Sequence, residues 1–254
     1  MGTIVANGTI ENNIEMGSMK NKWKGIYVLN ADKPSLLNYV KIHNTSALED
    51  GILSLTGGVT FYKSDIIMSD VFISGSSAED SLNIVNSKFT LRNININNAI
   101  SDGIDIDFSD GSISKSRFTD IGGDALDFSG SNAEVSKIIF KRVQDKALSI
   151  GEASEISINN INIEDVGIGI ASKDGSKVSG SFVNIKNYLL SGVMSYMKKT
   201  FYYFPMVELS NVKVATLGNA FSRQIGSYMR INDTEIPAKS IDVKRLYNNE
   251  IMKK

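Results

Sequence analysis

The fold of this chain is decided by five copies of one short pattern, which read Ser81-Leu-Asn-Ile84, Gly103-Ile-Asp-Ile106, Ala125-Leu-Asp-Phe128, Ala147-Leu-Ser-Ile150 and Gly169-Ile-Ala-Ser172. Each copy opens with a small residue, and four of the five continue with an apolar, a polar and an apolar residue. Consecutive openings are 22 residues apart. A fixed period of this length is typical of a solenoid, in which each repeat forms one turn of the chain.

Within each copy the apolar residues alternate with polar ones, as in strands that are buried on one face. Three short strands fit into 22 residues, and the Gly, Asn, Asp and Ser residues between them leave no room for a helix of ten residues. The Leu-x-x-Leu-x-Leu signature of leucine-rich repeats is missing. The sequence therefore predicts an all-β, single-stranded right-handed parallel β-helix whose equivalent strands stack about 4.8 Å apart. The predicted inward columns are Leu82/Ile104/Leu126/Leu148, Leu91/Ile113/Val135/Ile156/Val178, Ile96/Phe118/Phe140/Ile163/Ile185 and Ala99/Ile121/Val143/Val166/Tyr188.

We expect one β-helix domain over residues 1–254, in three parts. Residues 1–80 are predicted to form N-terminal rungs with insertions, 81–190 the regular rungs, and 191–254 the last rungs with an irregular cap. In the first part, Gly51-Ile-Leu-Ser-Leu55 is expected to open a rung and Gly58–Gly75 to contain a protruding loop.

Departures from the period predict where the helix is irregular. The spacing from Phe140 to Ile163 is 23 residues, so one turn there absorbs an extra residue. The aromatic run Phe201-Tyr-Tyr-Phe-Pro205 is interpreted as core of the cap, with a sugar-stacking platform as the alternative. The last ten residues, from Arg245, are expected to form a short helix or a frayed tail.

Composition excludes several classes of protein. The chain has 254 residues and a net charge of −1, so no global basic field favours nucleic acid as a partner. Cys is absent, which excludes disulfides and thiolate metal sites. No apolar run approaches the 18 residues of a membrane-spanning helix. The opening Met1-Gly-Thr-Ile-Val has no signal-peptide features, and it suggests a trimmed mature form or a piece of a longer chain.

Between Trp23 and Lys199 the repeats resemble a family of bacterial exported proteins with right-handed parallel β-helix repeats. The resemblance implies the fold and an extracellular or cell-envelope setting with polysaccharide as partner, and it carries no catalytic residue to transfer. Pectate lyases, polygalacturonases and mannuronan epimerases are better-characterised β-helix enzymes, but their Asn-Thr-Asp, Asp-Pro-His-Asp and Arg-Ile-Lys signatures are missing here. The resembling segments are Trp23-Lys-Gly-Ile-Tyr-Val, Glu79-Asp-Ser-Leu-Asn-Ile, Gly123-Asp-Ala-Leu-Asp-Phe-Ser-Gly-Ser, Asp145-Lys-Ala-Leu-Ser-Ile-Gly-Glu and Ile168-Gly-Ile-Ala-Ser-Lys-Asp.

Two columns of acidic residues are predicted on the outward side of the first strand. One column stands at the turn before that strand and the other on the strand itself, so that stacking builds an acidic surface that becomes basic further along the axis. Carboxylates one rung apart repel each other, which raises their pKa values or recruits a cation. The columns are Asp80/Asp102/Asp124 and Asn83/Asp105/Asp127, with Asp107 beside the second and Lys146, Ser149 and Lys173 further along.

Three interpretations of this surface stay open at the level of sequence. The first is a solvated acidic ladder with no further role. The second is polysaccharide binding by Asp102, Asp105, Asp124, Asp127, Lys146 and Lys173, with possible calcium at Asp80, Asp102 and Asp124, because Ca²⁺ prefers hard oxygen ligands. The third is catalysis by Asp105, Asp107 and Asp127. Carboxylate spacing does not decide the third, because a stacked column produces both separations that glycosidases use.

Other polar residues are interpreted as structural. The single histidine, His43, is taken as structural, and one histidine is judged too few for a Ser-His-Asp or metal cluster. Glu152 and Asp174, with Lys173 beside them, are interpreted as turn residues with a local ion pair, the alternative being a binding edge. The abundant Asn residues are expected to support turns and to hydrogen-bond along the axis.

The sequence therefore leaves three functions. The favoured one is a non-catalytic extracellular or cell-envelope β-helix that binds polysaccharide along its side. The second is a polysaccharide hydrolase, lyase or epimerase that uses the Asp residues. The third is a trimeric phage or adhesin spike, and the oligomeric state is left open.

Overall fold

The computed structural model describes residues 2–18, 20–215 and 218–248. The chain winds through about nine turns of a parallel β-solenoid, which confirms the predicted fold. The strands of the N-terminal rungs are β1 (Val5–Asn7), β2 (Ile14–Gly17), β3 (Ile26–Leu29), β4 (Ser35–His43), β5 (Leu48–Asp50), β6 (Leu53–Leu55), β7 (Val59–Tyr62), β8 (Ile66–Ser74), β9 (Asp80–Val85) and β10 (Lys88–Ala99).

The remaining strands carry the repeat to the C-terminal end of the helix. They are β11 (Asp102–Asp107), β12 (Asp110–Ser114), β13 (Arg117–Ile121), β14 (Leu126–Ser129), β15 (Asn132–Gly151), β16 (Glu155–Lys173), β17 (Lys177–Tyr196), β18 (Met206–Ala215), β19 (Phe221–Gln224), β20 (Tyr228–Ile231), β21 (Thr234–Glu235) and β22 (Ala238–Lys239). One short helix, α1 (Val243–Tyr247), follows them. None of the helices in these ranges is long and apolar enough to cross a membrane.

Equivalent strands pair in parallel with the predicted register. Leu82 lies beside Ile104, and the column continues through Leu126, Leu148 and Ile170. Every one of these side chains is fully buried. In the third column the rings of Phe118 and Phe140 stack with centroids 5.2 Å apart. Continuous apolar columns of this kind stabilise a solenoid through contacts between neighbouring rungs.

The extra residue between Phe140 and Ile163 is confirmed, and it shifts one predicted column. Phe140 pairs with Ile163, and the added length lies at Glu152 and Ala153, which both adopt positive φ. Val135 therefore lies beside Ile158, not beside Ile156 as predicted. Ile156 and Ile158 are both buried. The observed partner of Val135 differs from the predicted one by two residues, and a difference of two keeps a side chain on the same face of a strand.

The predicted insertion in the N-terminal part is displaced. The segment predicted to open a rung, Gly51–Leu55, instead belongs to an antiparallel hairpin of β5 and β6. Ile52 at its tip is fully exposed. The region predicted to hold the loop, Gly58–Gly75, forms β7 and β8 in regular register with β9 and β10. The rung opens at Gly58, seven residues after the predicted opening at Gly51.

Two turns are built from polar side chains that link neighbouring rungs. At one of these turns, which contains Asp165 and Asn187, both residues adopt the left-handed conformation. Asn187 donates to Asp165 at 3.1 Å, as expected of turn-supporting Asn residues. At the other turn, just after the first strand of each rung, buried serines form a ladder that the sequence did not predict. The backbone N–H of each serine donates to the hydroxyl oxygen of the serine one rung further on. The ladder runs Ser64, Ser87, Ser109, Ser131 and Ser154.

Candidate functional site

The residues predicted to form an exposed acidic surface divide into a buried and an accessible group. Asp80, Asp102 and Asp124 are 3%, 1% and 1% exposed, so the solvated ladder predicted for this column is wrong. Lys146, which continues the column, is also buried, at 2%. We call these four residues the buried ladder. They lie at the turn where the chain enters the first strand, and their side chains point along the axis instead of into solvent.

The carboxylates of the buried ladder bond to the next rung. The backbone N–H of Asp124 donates to Oδ1 of Asp102 at 2.9 Å, and the N–H of Lys146 donates to Oδ1 of Asp124 at 3.0 Å. Gly123 is required here, because a Cβ at this position would collide with the Asp102 carboxylate. These carboxylates therefore satisfy backbone N–H groups at the turn of the next rung. Because every rung has this turn, the structural role accounts for the 22-residue repeat without a ligand.

Lys146 neutralises the acidic end of the buried ladder. Its ammonium group lies 3.0 Å from Oδ1 of Asp124 and 2.6 Å from Oδ2 of Asp145. Burial opposes the charge of Lys146, but the two carboxylates outweigh it and raise the pKa of the ammonium group. Burial also raises the pKa of Asp145 to about 7, and the charge of Asp124 adds to this effect while Lys146 opposes it.

The accessible group lies on the strand itself, together with Asn83, which is 7% exposed. Asn83, Asp105 and Asp127 are neighbours in the register of β9, β11 and β14, and Asp107 lies two residues beyond Asp105 on the same side. Asp105, Asp107 and Asp127 are all half-buried. We call these four residues the carboxylate face. The Nδ2 group of Asn83 donates to Oδ2 of Asp105 at 3.4 Å, so the amide fixes one carboxylate oxygen.

Asp105 is the most perturbed acid of the carboxylate face. Burial raises its pKa well above the ordinary 3.8, and the charges of four neighbouring carboxylates raise it further. A carboxyl group in this position keeps its proton at pH values where an ordinary aspartate has lost it. The four neighbours are Asp80, Asp127, Asp107 and Asp102.

Asp127 differs from Asp105 because a cation approaches it. The ammonium group of Lys173 lies 3.9 Å from Oδ1 of Asp127 and donates to Oγ of Ser149 at 2.7 Å. Lys173 is 7% exposed, so the basic residue predicted on the surface is also largely buried. Among the described residues, no hydrogen-bond donor reaches Oδ1 of Asp127. This oxygen is itself buried from solvent, so its described interaction is the electrostatic one with the ammonium group of Lys173.

The C-terminal segment covers the basic end of this surface. The ring of Tyr247, in α1, lies over the ammonium group of Lys198 at 4.2 Å, and its hydroxyl lies 2.8 Å from that of Tyr196. Ile241, Val243 and Leu246 pack on the buried cluster that contains Tyr196. The sequence predicted a short helix or a frayed tail from Arg245 onward, and the observed helix begins two residues earlier, at Val243. Residues 249–254 lie outside the described residues.

The loop after β17 flanks the same end. The backbone N–H groups of Lys198 and Lys199 donate to Oδ1 of Asp174 at 2.6 and 2.7 Å, and Lys199 pairs with Glu152. Asp174 thus has the predicted turn role, and the ion pair at this turn joins Glu152 to Lys199 instead of to the neighbouring Lys173. The aromatic run in this loop is not core, since Phe201 and Tyr203 are 79% and 89% exposed.

The predicted calcium ligands do not come together as a set. The carboxylate oxygens that lie within 4.8 Å of one another belong to Asp102, Asp124 and Asp127, and Asp80 is not among them. Two of these three carboxylates accept backbone N–H groups, and Asp124 is paired with Lys146. Ca²⁺ takes six to eight oxygen ligands, so a bound cation would compete with a lysine that is already in place.

No family model matches the chain, and the search of curated proteins finds no match. Solved structures with the same architecture do match. Pantoea stewartii WceF, described as a glycan biofilm modifying enzyme with a bacteriophage tailspike-like parallel β-helix fold, is 10% identical with a TM-score of 0.57. The match covers 95% of this chain and 36% of WceF.

Two further structures extend the comparison. A GH87 α-1,3-glucanase catalytic domain in complex with tetrasaccharides is 12% identical with a TM-score of 0.55, and the match covers 93% of this chain and 60% of that domain. An alginate lyase from Paenibacillus sp. str. FPU-7 is 12% identical with a TM-score of 0.50, covering 87% and 86% of the two chains. This chain therefore spans only part of the first two proteins, and all three likenesses concern the fold.

Proposed function

We propose that this β-helix acts on a polysaccharide that lies across the carboxylate face, and that it cleaves glycosidic bonds with Asp105 as acid and Asp127, its neighbour one rung away, as nucleophile. The observation that carries the proposal is the contrast between two adjacent carboxyl groups. Burial among carboxylates raises the pKa of Asp105, whereas Lys173 stands beside Asp127. Pairs of acids in such different surroundings are found at sites of acid-base catalysis.

Each residue has a defined task in the cleavage. Asp105 donates its proton to the glycosidic oxygen, so that the leaving sugar departs as an alcohol. Asp127, whose side chain is 17% exposed, attacks the anomeric carbon and holds the sugar as an ester until a water molecule, which gives its proton to Asp105, displaces it. Asp107 adds negative charge that favours the protonated form of Asp105. Water supplies the hydroxyl group that ends on the new reducing end.

Three surrounding features favour a long carbohydrate as the substrate. The carboxylate face runs along one side of a stacked sheet, in line with the axis of the solenoid. Exposed Phe201 and Tyr203 stand in the loop at its basic end, where aromatic rings can stack on sugars. Three structures with this architecture are of carbohydrate-active enzymes, of which two are named for their polysaccharides. An extracellular or cell-envelope location is part of the same proposal.

The experiment is incubation of the protein with a panel of neutral and acidic polysaccharides, with reducing ends as the readout. Ultraviolet absorbance would reveal unsaturated products, which a lyase makes and a hydrolase does not. We expect Asp105→Asn and Asp127→Asn each to lower the rate by at least about a hundredfold. Asp110→Asn is the matched control, because Asp110 is exposed and bonds only to Asn132 among the contacts described.

Non-catalytic polysaccharide binding is the second candidate, favoured by the diversion of Asp102 and Asp124 into backbone hydrogen bonds. A glycan array separates the two functions. Binding that is lost in the double variant Asp105→Asn/Asp127→Asn, together with no product from any polysaccharide, would replace the catalytic proposal with the binding one. The same array with Ca²⁺ and with a chelator tests calcium at Asp80, Asp102 and Asp124, since equal binding in both would refute a calcium requirement.

A further inference from the structure

A second cluster of reactive side chains lies on a different side of the helix, in the N-terminal rungs. His43 ends β4, and its two ring nitrogens have different partners. The Nδ1 atom lies 2.9 Å from Oγ of Ser74, and the Nε2 atom lies 2.8 Å from Oε2 of Glu15. A single histidine is thus enough for a serine-histidine-carboxylate array, and the contrary expectation from the sequence is wrong.

The register explains why these residues meet. Gly17, His43, Ser74 and Asn97 are neighbours in the parallel pairing of β2, β4, β8 and β10, so they form one outward column. Glu15 and Lys41 form the adjacent outward column two residues earlier. Glycine is needed at position 17, which has a φ of +123°, because a Cβ there would collide with the His43 carbonyl.

The carboxylate fixes the tautomer of the histidine. Ionised Glu15 offers only acceptors, so Nε2 of neutral His43 carries the hydrogen and donates it to Oε2. The Nδ1 atom then has a lone pair and accepts the hydroxyl hydrogen of Ser74. Lys41 lies 2.9 Å from Oε1 of Glu15 and holds the carboxylate in its ionised form. This is the hydrogen-bond order of an activated serine nucleophile.

The array borders an open groove. A groove of about 750 Å³ is lined by Glu15, Gly17, Lys41, His43 and Phe72. His43 lines this groove and is 17% exposed at its side chain, and Ser74 is half-buried beside it, next to the groove lining. On the far side of Ser74, one rung away, half-buried Asn97 carries an amide group that can donate to an oxyanion.

From this geometry we propose that Glu15, His43 and Ser74 form a hydrolytic site for short-chain carboxylic esters. Ser74 Oγ attacks the ester carbonyl carbon while His43 Nδ1 takes the hydroxyl proton. His43 then returns that proton to the alcohol oxygen as the carbon–oxygen bond of the ester breaks, which leaves an acyl-Ser74. Water attacks the acyl group, His43 takes its proton, and the carboxylic acid leaves as Ser74 regains its hydrogen. The site uses no residue of the carboxylate face, so either site can fail alone.

The test is hydrolysis of p-nitrophenyl acetate by the whole chain, with free imidazole as the chemical reference. We expect the wild-type rate to exceed that of imidazole at the same concentration, and Ser74→Ala or His43→Gln to lower it by at least about a hundredfold. Asn97→Ala should lower it by about tenfold or more. Ser69→Ala is the matched control, because Ser69 is also half-buried on β8 but pairs in register with Asn38 and Arg92.

A covalent label gives a second readout that a purely structural role of Ser74 would not produce. A fluorophosphonate should add to the peptide that contains Ser74 in the wild type and should leave Ser74→Ala unlabelled. Circular dichroism checks that both serine variants stay folded. A Ser74→Ala variant that keeps more than half of the wild-type rate, or a wild type that takes no label at Ser74, would overturn the proposal.

Discussion

Replacement of the buried cation Lys146 by methionine tests the electrostatic account of the ladder. Methionine keeps an unbranched side chain out to the ε position but removes the ammonium group that contacts Asp124 at 3.0 Å and Asp145 at 2.6 Å. Breaking a buried ion pair by removing one partner leaves an uncompensated charge and costs about 3–5 kcal/mol. Here two carboxylates lose their partner, so we expect Lys146→Met to fall at the upper end of that range.

Lys177→Met is the control for this experiment. Lys177 also pairs with an acidic residue one rung away, Glu155, but its side chain is 60% exposed. Exposed pairs contribute about 0–1 kcal/mol, so this variant should unfold at nearly the wild-type urea concentration. The assay is urea unfolding followed by circular dichroism at neutral pH.

A third variant of the chain separates the effect of the lost charge from the effect of altered packing. Lys146→Met combined with Asp124→Asn and Asp145→Asn removes all three charges and should recover at least half of the lost free energy of unfolding, because buried charges without partners cause most of the cost. A loss below about 1 kcal/mol for Lys146→Met alone would refute the reasoning. So would a triple variant that is less stable than the single one.

Two further predictions concern the core and the pH dependence of folding. Phe128→Ala should lower the free energy of unfolding by about 3–5 kcal/mol, because the ring is fully buried. The control is Phe108→Ala, one rung away, where the wild-type ring is 62% exposed. This variant should change the free energy of unfolding by less than about 0.5 kcal/mol in the same urea assay. Equal losses in the two variants would contradict the assigned inward column. Asp145 has a pKa of about 7 in the folded chain and an ordinary value of 3.8, so between these pH values the folded state binds a proton that the unfolded state has released. Its contribution to stability therefore falls as pH rises from about 4 to about 7. The wild type should lose free energy of unfolding between pH 5 and pH 8 for this reason. In Asp145→Asn this loss should be smaller by about 1 kcal/mol or more. An unchanged difference would show that Asp145 titrates normally.

The fold could be predicted from the sequence because each 22-residue repeat corresponds to one rung of the solenoid. The apolar columns follow from a constant spacing, and the column from Leu82 to Leu148 continues in register at Ile170, beyond the extra residue at Glu152 and Ala153. The N-terminal rungs have no constant spacing. Their insertion was misplaced, because the opening pattern of a rung is too short to distinguish Gly51–Leu55 from Val59–Tyr62.

The sites were less predictable, for two physical reasons. A residue that points away from the core was assumed to face solvent, whereas Asp102 and Asp124 turn along the axis and bond to the next rung. The segment that covers Lys146 comes from the end of the chain, near Tyr247, and no periodic signal connects the two. His43 and Ser74 are 31 residues apart, which is not a multiple of the repeat, so only the observed register brings them together.

The state of the Asp105 carboxyl group is the central claim about the candidate site, and it can be measured without a substrate. The measurement is an NMR titration of the aspartate side-chain carboxyl carbons, with the Asp105 signal assigned by its loss in Asp105→Asn. Our account predicts a midpoint well above the ordinary 3.8 for Asp105, while Asp120, whose pKa is lowered by its bond to Arg142, titrates below that value in the same spectrum. A midpoint for Asp105 at or below 3.8 would contradict the account, because that carboxyl group would then hold no proton to give.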